Sequence, residues 1–348
     1  MGVEWYTQED DTVELFDQSG TVDQLRAMVG EFEQQSDIRS ILIFACDSND
    51  FTPQKIDTIL QETGLTVFGG LFPQIIYGGA NYSRGTLIVG FRQQPKVLVI
   101  PGLSDPDADY EAMIDDLYDA SRPVKTMFVW VDGLSSRIST LIESLFNIFG
   151  LTQNYIGGGA GSLSFEQKPC LFTNDGLVED CAVLALSAIE SGIGVSHGWE
   201  SVSGPYRVTE AKSNVIQALD WEPAFQVYQR AVEDVSGTAV THENFFERAK
   251  GYPFGISRLG AEYIVRDPIV VNEDGSLVCV GEVPVESYID ILNGSTESLV
   301  TAARRARRLA EEAYAGPSSD SLIVFIDCIS RVLYLQEDFD QELAAVYN

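Results

Sequence analysis

The run Gly157-Gly158-Gly159-Ala160-Gly161 is the segment of this chain best suited to hold a ligand. Consecutive glycines reach positive φ and let main-chain N–H groups approach an anion closely, so such a nest suits a carboxylate or phosphate. No Gly-Lys-Ser/Thr follows, which sets aside a phosphate-binding loop, and no clear helix follows, which sets aside a dinucleotide fingerprint. The competing explanation is a sharp turn where strand packs on strand. Tyr155 lies just before the run, and Asp132 ends the strand opening the same segment, with Asp47 at the matching place earlier in the chain. Strand ends of α/β sheets are where ligands bind. An aspartate there equally suits a helix N-cap.

His197 is one of two histidines and stands in Ser196-His197-Gly198-Trp199. It could donate to a ligand, titrate near neutrality or ligate a metal. No Cys or His clusters with it, which argues against zinc, while a single axial histidine can hold haem. It could equally be a hydrogen-bonded structural residue. Trp199 beside it could stack on a ligand or fill a core. Cys328 follows a buried strand and could be a nucleophile only with a nearby base. Arg331 could pair with a ligand carboxylate or with Asp327. No nucleophile–base pair stands close in sequence, so the expectation is a binding protein, not an enzyme. His242 reads as incidental.

Composition narrows the classes further. The 348 residues allow two cores. Fifty-two acidic residues oppose 22 basic ones, six of them Lys, for a net charge of −30. Acids spread along the chain keep a surface hydrated where concentrated salt screens self-repulsion, so the expectation is a halophile's cytoplasmic protein. The same charge argues against nucleic acid and anionic membranes as partners. No apolar run is long enough to span a bilayer, and the acidic N-terminus lacks a signal-peptide pattern. Five cysteines without a CxxC pair argue against a disulfide framework or a zinc site and read as core thiols.

The elements that must position these residues repeat. After an acidic leader, 1–20, an amphipathic helix covers Thr21–Gln34. Copy one, 40–92, runs strand 40–46, helix 52–61, strand from 66, a Gly78-Gly79 turn and strand 85–91. Copy two, 125–188, runs strand 126–131, helix 136–149, the glycine run and a hairpin pairing 169–173 with 180–186. Between them lie strand 97–100 and a helix 107–120. The fold class expected is α/β: a pseudo-symmetric layered mixed sheet domain of repeated strand-helix-strand-strand units with flanking helices, followed by a second α+β domain. That second part shows a hairpin 207–219, a helix 224–234, a helix after Thr241 and strands 261–267, 269–271 and 277–280 around the turn at Asn272–Gly275. A long helix 296–313, stopped by Gly316-Pro317, carries an Arg304–Arg308 cluster paired with Glu311 and Glu312. Strand 322–327 and an acidic helix follow.

Residues 192–228 closely resemble the segment where the N-terminal half of a FIST sensory domain passes into its C-terminal half. His197, Gly198, Trp199, Val208, Thr209, Ala211, Asn214, Pro223, Ala224 and Tyr228 match. Gly281-Glu282-Val283-Pro284 resembles the family's Gly-acidic-Val-Pro turn, and Asp327-Cys328-Ile329-Ser330-Arg331 its Asp/Gly-Cys-x-x-Arg strand end. The chain stops at Asn348, short of further strands in the family, which implies an incomplete C-terminal sheet. The resemblance, to a haloarchaeal-type acidic member, implies a FIST N-like part at 21–204 and a FIST C-like part at 205–348. It further implies an intracellular sensor that reversibly binds a small ligand, an amino acid or related carboxylate, and signals to a separate protein with no resident cofactor. The sites are Gly157, Gly158, Gly159, Ala160, Asp132, Tyr155, His197, Trp199, Cys328 and Arg331. The alternatives are a haem-based nitric-oxide sensor using His197 and a Cys-dependent enzyme acting on a small metabolite.

Overall fold

The computed structural model describes residues 2–8, 12–118, 123–257, 262–316 and 321–347. Strand β1 is Gly2–Gln8. Copy one then comprises β2 (Thr12–Asp17), α1 (Val22–Glu33), β3 (Ser40–Cys46), α2 (Pro53–Glu62), β4 (Thr66–Phe72), the hairpin β5–β6 (Ile75–Tyr77, Ala80–Tyr82) and β7 (Thr86–Phe91). Copy two repeats that order: β8 (Lys96–Pro101), α3 (Tyr110–Leu117), β9 (Thr126–Asp132), α4 (Ile138–Phe149), β10 (Asn154–Ala160), the hairpin β11–β12 (Leu171–Thr173, Gly176–Val178) and β13 (Cys181–Ser187). The strand orders correspond as well, β4–β3–β7–β2 against β10–β9–β13–β8. Each repeat is therefore longer than the periodicity suggested. Strand 97–100 and its helix belong to copy two and match β2 and α1.

Alternation explains the extension. Residues 1–20, expected as a leader, supply two strands. In Thr12–Asp17 the apolar Val13, Leu15 and Phe16 touch the core and Glu14 is exposed. Val13 and Leu15 alternate on one face, and Phe16, on the other, stacks on Tyr77 at 4.6 Å, so an acidic sequence still makes a strand. The expected pairing of 169–173 with 180–186 does not form. Instead β11 pairs with β12 and crosses to the other repeat's sheet, beside β4, while β13 lies between β9 and β8.

The two sheets stack face to face and the helices lie outside, giving an α–β–β–α sandwich. Aromatic rings join the sheets: Phe44 meets Trp130 at 5.2 Å and Phe68 meets Phe128 at 5.5 Å. Pairs of this kind contribute about 0.5–1.5 kcal/mol each beyond their buried area. Met127, Val129 and Val131 point the other way, onto Ile114 of α3 and Leu141 and Leu145 of α4.

The remaining elements are β14 (Ile193–Ser196), β15 (Glu200–Lys212), β16 (Val215–Leu219), β17 (Glu222–Pro223), α5 (Ala224–Ser236), α6 (Phe245–Ala249), β18 (Phe254–Ile256), β19 (Ile264–Arg266), β20 (Pro268–Val271), β21 (Leu277–Cys279), β22 (Tyr288–Asn293), α7 (Thr296–Ala313), β23 (Ser321–Ile326), α8 (Ile329–Leu335) and α9 (Phe339–Tyr347). The order β19–β18–β22–β15–β16–β21–β20, with β17 on β16, makes the C-terminal sheet. It packs around Tyr228 and Phe225 of α5. Parts of three expectations, at Asp119 and Ala120, at Ala261 and at Pro317, lie outside the described residues. The single acidic helix expected at the end is two short ones.

The halves are laced together by a third sheet, in which β1 lies between β14 and β23 and pairs antiparallel with both. Helix α7 sits directly on β14. A Cβ on Gly194 would collide with Ala306 O, and one on Gly192 with Ala310 O. The alanine face of the helix and the strand's glycines permit that main-chain approach, which any side chain would block.

Candidate functional site

The glycine run is a strand, not a nest. It forms β10, parallel to β9, with Gly157 opposite Val129 and Gly158 opposite Trp130. In copy one the same register puts Gly69 opposite Ile43 and Gly70 opposite Phe44. The repeated Gly-Gly of copy one is therefore Gly69-Gly70, not Gly78-Gly79. A Cβ would overlap Val129 O at Gly157 and Ile43 O at Gly69, so both glycines answer to the same crowded main chain. Gly159 is likewise close-packed, its Cβ position 3.0 Å from Gly133 Cα, whereas at Gly158 a Cβ would meet only Ile326 Cγ2, at 3.9 Å. Gly158 is thus the one glycine of the triplet at which a methyl would fit in ordinary contact, facing the end of β23.

The same registers align Asp132 with Cys46, one residue earlier than the match to Asp47 expected from the sequence. Both aspartates nevertheless grip one loop, residues 161–170. Asp132 is buried and accepts from Leu134 N–H, from Gln167 Nε2 at 2.9 Å and from Asp180 N–H at 2.8 Å. Asp47 accepts from Ser162 Oγ at 2.6 Å and pairs with Lys168 at 2.6 Å. The loop carries Phe165 to Phe246 of α6 in the other half, ring centroids 6.1 Å apart. Nearby, Ser139 N–H donates to Glu282 Oε2 at 3.2 Å and Ser213 Oγ to Ser136 O at 3.2 Å. The halves therefore meet at the carboxyl ends of β9 and β10, where ligands of α/β sheets bind. Tyr155 points away from this junction, toward α4, and donates to Gly150 O at 2.7 Å. Ala160 is buried in the core between the sheets.

His197, Cys328 and Arg331 gather around the start of α8, and Trp199 packs at its end, its ring 5.5 Å from that of Tyr334. Arg331 is fully buried. Its Nη1 donates to His197 O at 2.7 Å, its Nη2 to Leu299 O, and its Nε to Glu342 Oε2 at 3.1 Å, with Asp327 Oδ2 3.8 Å away. The guanidinium thus ties α7, α8, α9 and the end of β14 together and is occupied by the protein itself. Burial pushes Glu342 up to about 7, reinforced by Asp327 and opposed by Arg331. Sequence reasoning missed Glu342 because its partner is 11 residues away on another helix and nothing local marks it. Trp199 belongs to a small core with Leu292, Leu299, Leu335 and Phe339.

His197 is 5% exposed, and its Nδ1 accepts from Trp199 N–H at 3.0 Å, so Nε2 carries the proton. Among the described residues that buried Nε2 has no hydrogen-bond partner, and it lies 3.7 Å from Glu262 Oε2. Burial lowers the imidazole's pKa. An axial haem ligand needs its nitrogen to face a macrocycle-sized space, and here it faces a carboxylate, so the residues present do not fit haem. Cys328 Sγ lies 3.6 Å from Asp267 Oδ2, and burial pushes its thiol up to about 11, away from thiolate chemistry. Asp267, also raised by burial, was not anticipated from the sequence.

Two surface cavities lie elsewhere. One, of about 460 Å³, is lined by Thr296, Glu297, Thr301, Arg304, Asp338 and Gln341, and one of about 320 Å³ includes Lys96, Tyr118 and Leu186. None of the predicted site residues lines either. The junction, with its strand-end chemistry, is the stronger candidate. Among the described residues, no helix is long and apolar enough to cross a membrane.

A duplicated α/β sandwich is docked through its strand ends on a second sheet unit, so the chain is built in two parts. The chain belongs to the FIST family: the FIST N domain matches residues 23–222 and the FIST C domain residues 224–348. FIST domains serve as sensory domains in signal transduction. No curated protein matches the chain. The family boundary falls at the start of α5, whereas the hairpin β15–β16 before it belongs to the C-terminal sheet.

Proposed function

We propose that this chain is a cytoplasmic sensor whose halves close on a small carboxylate-bearing metabolite, an amino acid or a relative, above Gly158, and that closure is read by a separate signalling protein. The observation that carries this is the junction at the ends of β9 and β10. There the halves touch through Ser139–Glu282, Ser136–Ser213 and Phe165–Phe246, and Gly158 leaves room beside Ile326. Such contacts can rearrange without unfolding either core, and a ligand shifts the open–closed balance only by its differential affinity. The reading is non-enzymatic, in keeping with the raised Cys328 thiol. The acidic surface is suited to concentrated salt.

The test is a thermal-shift screen in molar KCl with amino acids, short carboxylates and haem. A true ligand at a hundredfold excess over Kd stabilises the native chain by about 2.7 kcal/mol. Gly158→Ala, which adds a methyl in ordinary contact, should fold and bind weakly, and Gly158→Val should fold without binding. Ligand stabilisation that survives in Gly158→Val would move the site elsewhere.

A further inference from the structure

The two repeats differ in one respect that bears on recognition. Strand β4 is flanked on its outer side by β11, whereas among the described residues the equivalent β10 ends its sheet. In β10, Asn154 N–H donates to Lys125 O and Ala160 O accepts from Gly133 N–H. In a parallel ladder the alternate residues turn their main-chain groups to the other side. Tyr155, Gly157 and Gly159 therefore present N–H and C=O groups at an open edge, with Gly159 exposed and Gly157 half-buried. The equivalent positions on β4 are Gly69 and Leu71. There the edge is filled: Phe172 lies opposite Gly69, Leu171 opposite Gly70, and Leu71 N–H donates to Cys170 O at 2.8 Å. The hairpin that would fill β10 by the same connection is β5–β6, but it forms a sheet of its own, with the ring of Tyr347 3.4 Å from a Cβ on Gly79.

We propose that the open edge of β10 receives an extended segment of a partner protein as an added antiparallel strand. It pairs main chain at Gly157 and Gly159 as β11 pairs with β4 at Gly69 and Leu71. An unpaired edge is a template for such addition, with affinity carried by main-chain hydrogen bonds. The chain's charge of −30 selects a segment flanked by Lys or Arg, since complementary charge speeds encounter and suppresses wrong partners. Strand addition stands apart from the small-ligand reading, because it uses the strand's edge and not the space above Gly158.

The probe is a synthetic peptide copying residues 168–174, with serine for its cysteine and two added lysines at each end. The readout is amide hydrogen exchange of the full chain. The expected result is slowing of at least roughly tenfold at the Gly157 and Gly159 amides, with Gly158, already bonded to β9, unchanged. N-methylation at alternate peptide residues should abolish the effect in one set and spare it in the other. A peptide flanked by glutamates should bind at least roughly tenfold more weakly. No slowing at millimolar peptide, or slowing indifferent to N-methylation, would overturn the proposal. So would slowing that grows with protein concentration alone, which would assign the edge to a second copy of this chain.

Discussion

At the scale of single residues, the most consequential group is Arg331. It is a buried cation serving two carboxylates and two carbonyls, so its removal leaves Glu342 buried without that counter-ion, close to Asp327. Arg331→Leu is expected to cost about 3–5 kcal/mol in urea unfolding, or to prevent folding. Glu342 supplies a second, independent prediction. Its folded pKa of about 7 lies above its ordinary value of 4.5. The folded chain therefore keeps a proton that the unfolded chain has released, and the associated stabilisation is complete below pH 4.5 and lost as pH rises through about 7. Relative to Glu342→Gln, which cannot titrate, the natural chain should lose on the order of 3 kcal/mol between about pH 4.5 and 8. A parallel pH dependence of the two unfolding curves would show that Glu342 does not titrate in this window. His197 acts in the opposite sense, since a depressed imidazole pKa removes stability as pH falls below 6.5. The two must therefore be separated by substitution and not read from one curve.

At the scale of elements, the glycines sort by what their missing side chains would meet. In β14, a Cβ on Gly194 would enter the main chain of α7 at Ala306. Gly194→Ala should destabilise by more than about 3 kcal/mol, because backbone must move to admit it. Gly30, inside α1, has open space where its Cβ would be. Gly30→Ala should stabilise by about 0.5–1 kcal/mol, since alanine is the better helix former. Paired denaturation curves check both signs at once. A mild effect at Gly194 would mean that β14 and α7 part readily to admit a methyl. The repeat was legible because SILIFAC and TMFVWV are buried runs of strand length, each followed by a helix and a glycine pair. Its first strand and helix in each copy were harder to place. Residues 12–17 read as polar, and no local signal says that their alternate apolar residues find a core.

At the scale of the whole molecule, the net charge of −30 dominates. Self-repulsion of this size opposes compaction until salt screens it, the Debye length shrinking from about 10 Å at 0.1 M to about 3 Å at 1 M. The melting temperature should therefore rise steeply between roughly 0.1 and 2 M KCl. A midpoint that stays flat or falls would remove the halophilic reading. The same scale holds the third sheet, where β1 bridges β14 and β23 and makes the chain's start and its C-terminal segment part of one lamina. The proposed closure between the halves would have to flex or preserve this lamina.

The amino-acid sequence by itself determined the elements whose pattern is local. These include the buried strands, the amphipathic helices α1, α4, α5 and α7, the hairpins β15–β16 and β20–β21, the acidic composition and the motifs around His197 and Cys328 that mark the family. Tertiary structure alone decided what those motifs do. Asp132 and Asp47 turned out to anchor one loop, Arg331 to be saturated by Glu342 and carbonyls, and the glycine triplet to be a strand packed against its neighbour's main chain. It also decided that β11 leaves its own repeat and that β10 keeps an open edge. The physical reason is that propensity and periodicity act over a few residues, whereas ion pairing, main-chain approach and strand addition depend on which distant segments the sheets bring within a few ångströms.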